Sequence, residues 1–136
     1  MFLIPAAKRL FTFVALAAVV PGINVTPAAA EAAGVPGQCA VSVHNPEHAG
    51  NYVWANTPWN CSNLPADGGA KIYLKILRDG ERVKQAEFWQ KGPFNLTFAT
   101  AVACIGGSHT YQVQAHGWDT DLIQYNVLSP AVTLSC

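Results

Sequence analysis

Several patterns that would indicate catalysis or a bound cofactor are absent from this sequence. None of its four cysteines form a C-x-x-C pair, so zinc ribbons and thioredoxin-type redox sites have no support. No G-x-S-x-G motif is present, so the nucleophile elbow of the α/β-hydrolases is not indicated either. We therefore expect neither an enzyme nor a cofactor or metal site.

Basic residues are missing from most of the chain. After Lys8 and Arg9, every Lys and Arg lies between positions 71 and 91, and residues 31–136 carry six basic against eight acidic side chains, a formal charge of −2. An exported domain with this balance is not expected to bind nucleic acid. The basic cluster has two interpretations: a ribbon that meets an anionic partner, or charges that protect a sheet edge from aggregation.

The apolar run near the N-terminus is too short to cross a bilayer, which takes about 18 or more residues. It follows Lys8 and Arg9, ends at Pro21-Gly22, and is followed by the small residues 28–30 before Glu31. This order predicts a secretory signal peptide over residues 1–30, with a retained anchor as the alternative. We expect a secreted protein with no stable membrane span after cleavage, a flexible leader over 31–38 and one domain over 39–136.

An even number of cysteines in a small exported domain predicts two disulfides. Cys39 opens one alternating segment and Cys61 follows the next, whereas Cys104 precedes a segment and Cys136 closes the last. Because the start of one antiparallel strand lies beside the end of its neighbour, the pairs 39–61 and 104–136 are favoured. The rival is an immunoglobulin-type bridge from Cys39 to Cys104, packed on Trp54.

Alternation of apolar and polar residues predicts strands throughout residues 39–136. The clearest signal is the run 71–90, where Ile72, Leu74 and Ile76 alternate before the two-residue turn Asp79-Gly80. Residues 81–90 also favour a helix, but the turn favours a strand. Residues 57–69 are predicted to be a loop. The expected fold is an all-β, antiparallel immunoglobulin-like β-sandwich of about seven strands.

A family resemblance follows from the last third of the chain. Tyr111, Val113, Ala115 and Gly117 alternate with polar residues, and a loop then leads to the sequence SPAVTL. This pattern resembles the last two strands of fibronectin-III and immunoglobulin-like domains, and it implies that Tyr111 takes the place of the tyrosine-corner residue. Val113 stands where antibody domains have their second cysteine. The whole chain also resembles small secreted domains of actinobacteria, a likeness that implies no activity.

Histidines and acids form no convincing site. If residues 109–116 are one strand, His109 and His116 lie on opposite faces about 23 Å apart, and they cannot share a metal or a proton. Asp119 and Asp121 are expected in a solvated loop, because a D-x-D pair lacks the further ligands of a calcium site. His44, Glu47 and His48 fit H-x-x-E-H, but Pro46 conflicts with the helix that such a zinc site needs.

Exposed tryptophans and the basic ribbon are the remaining functional candidates. Trp54 and Trp89 fall in predicted strands and are expected to be buried or half-buried. We predict a secreted, non-catalytic binding or adhesion module that recognises a protein or cell-envelope partner; the alternative is a carbohydrate-binding module. A protease inhibitor and a small hydrolase using His44, Glu47 and His48 are weaker alternatives. The residues expected to contact the partner are Trp59 and Trp118, in predicted loops, with Lys75, Arg78, Arg82 and Lys84.

Overall fold

A computed structural model describes Ala30–Glu31 and residues 39–136 of the chain, and this part is all-β, with no helix among the described residues. Alternating side chains and frequent turn residues explain this composition. The strands are β1 Ala30–Glu31, β2 Ala40–Val43, β3 Glu47–Ala49, β4 Tyr52–Asn60, β5 Gly69–Arg78, β6 Glu81–Lys91, β7 Asn95–Ala103, β8 Ser108–Asp119, β9 Gln124–Leu128 and β10 Val132–Ser135.

The strands form two antiparallel sheets of five strands each. In the first sheet, β4 pairs with β7 along its whole length, and its other edge is shared by β2 and β3, with β1 beyond β2. In the second sheet, β8 pairs with β5, β6 lies outside β5, and β9 and β10 share the other edge of β8. The two sheets pack face to face as a β-sandwich, which confirms the predicted all-β class.

The described part of the chain has ten strands where about seven were predicted, because β1 is an additional strand and two of the predicted paths are interrupted. β2 and β3 follow one path along β4, separated by a segment that contains Pro46, and β9 and β10 follow one path along β8, separated at Pro130. Proline has no backbone N–H and cannot donate to a ladder, which favours a break at both positions. At the second break the Ser129 hydroxyl accepts the Val113 N–H at 2.8 Å, which satisfies a donor that the ladder would otherwise leave unpaired.

The β5–β6 hairpin is the best-predicted element. Asp79 and Gly80 both have positive φ, 52° and 84°, as the turn of a two-residue hairpin requires. β6 is a strand over Glu81–Lys91, so the helical alternative for this segment is excluded.

The core lies between the sheets and follows the period-two pattern. Its largest fully buried side chains include Trp59, Tyr111, Ile72, Leu74 and Ile76. At one edge Phe88 of β6 contacts Phe98 of β7, with ring centroids 5.0 Å apart, which closes the sandwich between the two sheets. Tyr111 points inward, but its hydroxyl has no hydrogen-bond partner, so the bond that defines a tyrosine corner is not made among the described residues.

The predicted loop over residues 57–69 is wrong for its first four residues and for Gly69, which begins β5. Thr57 to Asn60 extend β4 and pair with β7. Pro58 is unfavourable within a strand, because it cannot donate to a ladder. The Thr57 side chain compensates for the N–H that Pro58 lacks. Its hydroxyl donates to Ser42 O at 2.6 Å and accepts the Trp59 Nε1–H at 3.0 Å.

Both predicted disulfides are formed, and the rival Cys39–Cys104 bridge is excluded. Cys39–Cys61 joins the start of β2 to the end of β4 within the first sheet, with Cα atoms 4.1 Å apart. Cys104–Cys136 joins the end of β7 in the first sheet to the end of β10 in the second, with Cα atoms 5.8 Å apart. Two disulfides are compatible with an extracellular protein.

The predicted signal peptide (1–30) and leader (31–38) lie outside the described residues except for Ala30 and Glu31. These two residues, on either side of the predicted cleavage point, pair with Val43 and Ser42 as β1. The described part of the chain contains no helix long and apolar enough to cross a membrane.

Candidate binding surface on the second sheet

The solvent-facing side of the second sheet carries rows of aromatic and polar residues. Side chains at alternate positions of β5, β6, β8 and β9 face outward, and residues paired across the strands form rows perpendicular to them. One row joins Trp89, Lys71, Trp118 and Gln124. The next row joins Glu87, Tyr73, His116 and Asn126. We call these eight residues the aromatic face.

Trp118 is supported by two neighbouring rings of the aromatic face. Its ring lies 5.7 Å from that of Tyr73 and 6.1 Å from that of His116. Tyr73 and His116 are stacked, with centroids 5.1 Å apart and an interplanar angle of 24°. Partial burial, together with the charge of Lys75, lowers the pKa of His116 below its ordinary value, so the imidazole is neutral at pH 7.

Trp89 is the most exposed aromatic ring of the face, at 60%. Its position depends on Gly69, at the start of β5. A Cβ at residue 69 would lie 3.0 Å from Trp89 Cζ2 and 2.7 Å from Gln90 O. The glycine therefore leaves the space in which the indole lies across the end of the neighbouring strand.

Lys71 and Glu87 form an ion pair beside the two tryptophans. Lys71 Nζ lies 2.7 Å from Glu87 Oε1 and 5.5 Å from the centre of the Tyr73 ring. The hydrogen bond to Glu87 raises the pKa of Lys71 above its ordinary value. The pair gives the face a donor and an acceptor side by side without adding net charge.

A shallow depression of about 330 Å³ continues the first row beyond Trp118. It is lined by Trp118, Leu122 and Gln124, at the turn between β8 and β9. Asp119 fixes this turn: Oδ1 accepts the N–H groups of Asp121 at 2.9 Å and Ile123 at 3.2 Å.

Asp119 itself is 1% exposed, which corrects the expectation that it lies in a solvated loop. Its Oδ2 accepts the Tyr125 hydroxyl at 2.7 Å. Burial and this hydrogen bond raise the pKa of Tyr125 well above its ordinary range. Both carboxylate oxygens of Asp119 are occupied by protein donors, whereas Asp121 is exposed as expected.

The predicted contact residues do not form one cluster. Trp59 was expected in an exposed loop, and this is wrong: it is 0% exposed in β4, with its ring 5.4 Å from that of Tyr125. Trp118 lies in β8 rather than in a loop, and it is half-buried on the aromatic face. The predicted basic residues lie further along the hairpin: Lys75 and Arg78 in β5, Arg82 and Lys84 in β6.

The expected burial of two other tryptophans is also wrong. Trp54 is 40% exposed on the first sheet and Trp89 is exposed on the second. Both tryptophans lie in strands, as predicted, but the prediction that their side chains face the core was wrong. The alternation of side chains along β6 could have indicated that Trp89 is exposed, because Trp89 lies on the same face as the polar residues Glu87 and Gln85. Tyr73 and Trp89 were therefore missed as members of a surface, and Lys71 was assigned only to the basic ribbon.

Candidate catalytic and metal-binding residues do not converge. His109 and His116 lie on opposite faces of β8, as predicted. Glu47 and His48 of the H-x-x-E-H segment lie in a strand, β3, and not in a helix. Among the described residues, one group of three possible metal ligands has its ligand atoms within 4.8 Å of one another: His48, Cys104 and Cys136. Its two sulfurs are joined in a disulfide and cannot bind a metal as thiolates.

His109 and Asp79 form a pair that resembles part of a catalytic triad. His109 Nδ1 lies 2.7 Å from Asp79 Oδ2, and Nε2 lies 3.3 Å from Gly106 O rather than facing a nucleophile. The other oxygen of Asp79 accepts the Thr110 N–H at 3.0 Å. The pair therefore ties the β5–β6 turn to β8, which is a structural role.

A scan against protein-family models and a search of curated proteins find no match to this chain.

Proposed function

We propose that this protein is an exported, non-catalytic binding module of immunoglobulin-like type that recognises a cell-envelope or extracellular partner through its aromatic face. The observation that carries the proposal is the cluster of Trp89, Trp118, Tyr73 and His116 on the solvent side of one sheet. Single exposed apolar residues are common on protein surfaces, but contiguous exposed aromatic groups are typical of interaction sites.

The strand order supports the immunoglobulin-like part of the proposal. In the second sheet the penultimate path, β8, lies between β5 and the last path, and β6 extends the sheet beyond β5. Variable-type immunoglobulin sheets have this arrangement of strands G, F, C and C′. Export is supported by the two disulfides and by the predicted signal peptide.

The basic ribbon contributes less support for partner binding. Arg82 and Lys84 lie on β6, the edge strand of the second sheet, where positive charges discourage pairing with another chain. Arg82 Nη1 is hydrogen-bonded to Gln85 Oε1 at 3.0 Å. We assign Arg82 and Lys84 to edge protection and the aromatic face to recognition.

The test compares three proteins in co-sedimentation with envelope fragments of the producing cell. The wild type should sediment with the fragments, and Trp89→Ala/Trp118→Ala should lose most of the bound fraction. Trp54→Ala is the matched control, because it removes an exposed tryptophan from the opposite sheet and should bind like the wild type. Circular dichroism and thermal unfolding check that all three fold. Equal binding by the double variant and the wild type would contradict the proposal.

A further inference from the structure

We infer that the ligand of the aromatic face is an extended, uncharged pyranose glycan that crosses the strands along the row from Trp89 to Gln124. The inference rests on the proposed binding function and names the chemical class of its ligand. Three features of the row carry it: the spacing of its tryptophans, the fixed position of their rings and the balance of its charges.

The spacing fits two sugar rings of one chain. Lys71 of β5 is paired with Trp89 of β6 on one side and with Trp118 of β8 on the other. Neighbouring strands lie about 4.8 Å apart, so the two tryptophans are anchored about 10 Å apart. Alternate rings of a β-linked pyranose chain are separated by a comparable distance, so one chain can place a ring on each tryptophan.

The two rings are held in place before any ligand binds. Trp89 lies over Gly69, and Trp118 is supported by Tyr73 and His116. A ring already fixed by its neighbours loses little conformational freedom on binding, which favours affinity. The C–H faces of a pyranose are apolar and pack against the electron-rich face of an indole.

The polar groups of the row suit hydroxyls better than charged groups. Lys71 and Glu87 neutralise each other at 2.7 Å and offer a donor and an acceptor between the tryptophans. Gln124 adds an amide at the depression beyond Trp118, where a further ring would fit beside Leu122. Lys75 lies about 13 Å along β5 from Lys71 and Lys91 lies two residues beyond Trp89, both outside the row, and Arg78 lies about 23 Å from Lys71 at the other end of the strand.

The experiment measures the affinity of the folded protein for cellohexaose, chitohexaose and their disaccharides by calorimetry, with polygalacturonate as the anionic comparator. A hexasaccharide should bind more tightly than its disaccharide, because the two adjacent rings of a disaccharide cannot reach both tryptophans. Trp89→Ala and Trp118→Ala should each lower hexasaccharide affinity about tenfold, to the level of the disaccharide. Trp54→Ala should change nothing, and raising the salt concentration should have little effect.

Two results would overturn the inference. One is binding to polygalacturonate alone with strong salt dependence and no effect of the tryptophan variants, because that would assign binding to the basic ribbon. The other is no binding to any glycan while envelope sedimentation still depends on Trp89 and Trp118, which would indicate a protein ligand and leave the proposed function intact. If sedimentation is also indifferent to both tryptophans, the proposed function fails with it.

Discussion

Replacement of Thr57 by valine should destabilise the protein although the two side chains have nearly the same shape. In the antiparallel ladder, His44 N donates to Asn56 O at 3.0 Å. Two residues earlier on β2, Ser42 O therefore faces the backbone nitrogen of Pro58, which has no hydrogen to donate. The Thr57 hydroxyl takes over as the donor to Ser42 O and also accepts the Trp59 Nε1–H.

The expected loss follows from the two groups left without a partner. An unpaired buried donor or acceptor costs about 1 to 3 kcal/mol. Trp59 Nε1 is in the core, whereas Ser42 O is only partly buried, so Thr57→Val should cost about 2 to 4 kcal/mol. Thr57→Ser keeps the hydroxyl and removes one buried methyl group, which should cost about 1 kcal/mol.

A double-mutant cycle with Pro58→Ala tests the cause. Alanine restores an N–H at position 58, which can donate to Ser42 O. Thr57→Val should then cost about 1 to 2 kcal/mol less in the Pro58→Ala background than in the wild type, with only Trp59 Nε1 left unpaired.

The assay is urea unfolding followed by tryptophan fluorescence, with the disulfides intact and the slope of the transition checked for each variant. The reasoning is refuted if Thr57→Val is as stable as Thr57→Ser. It is also refuted if the cost of Thr57→Val is the same with proline or alanine at position 58.

Three further predictions concern the stability of the fold. Tyr125→Phe should cost about 1.5 to 3 kcal/mol in urea unfolding, because the buried Asp119 carboxylate loses a donor; an unchanged midpoint would contradict this. Hydrogen bonds from Thr110 and His109 lower the pKa of Asp79, so the stabilisation that its carboxylate provides is complete above about pH 4 and is lost as the pH falls further. Asp79→Asn should therefore have a lower free energy of unfolding than the wild type at pH 7, and this difference should be smaller at pH 3. Replacing the buried Cys39 and Cys61 with alanine should cost about 3 kcal/mol or more, from a closed loop of 22 residues, and a loss below about 1 kcal/mol in calorimetry would count against it.

The sequence by itself determined the elements that depend on local chemistry. Alternation over residues 71–78 and the Asp79-Gly80 turn specified the hairpin, because period-two orientation and positive φ are properties of neighbouring residues. The disulfide pairing followed as well, since each cysteine marks the end of a strand. Opposite orientation of His109 and His116 needed only that β8 be one strand.

Only the tertiary structure decided which face of each strand is covered and where the interruptions fall. Pro58 is unfavourable within a strand, and no local rule could show that Thr57 would satisfy Ser42 across the sheet. Trp59 was therefore taken for a surface residue, whereas it is buried. Trp89 was misjudged in the opposite sense, because β6 packs only its Phe88 side against the first sheet. Burial is a property of what packs on a face, and the aromatic face exists because nothing in the described chain covers it.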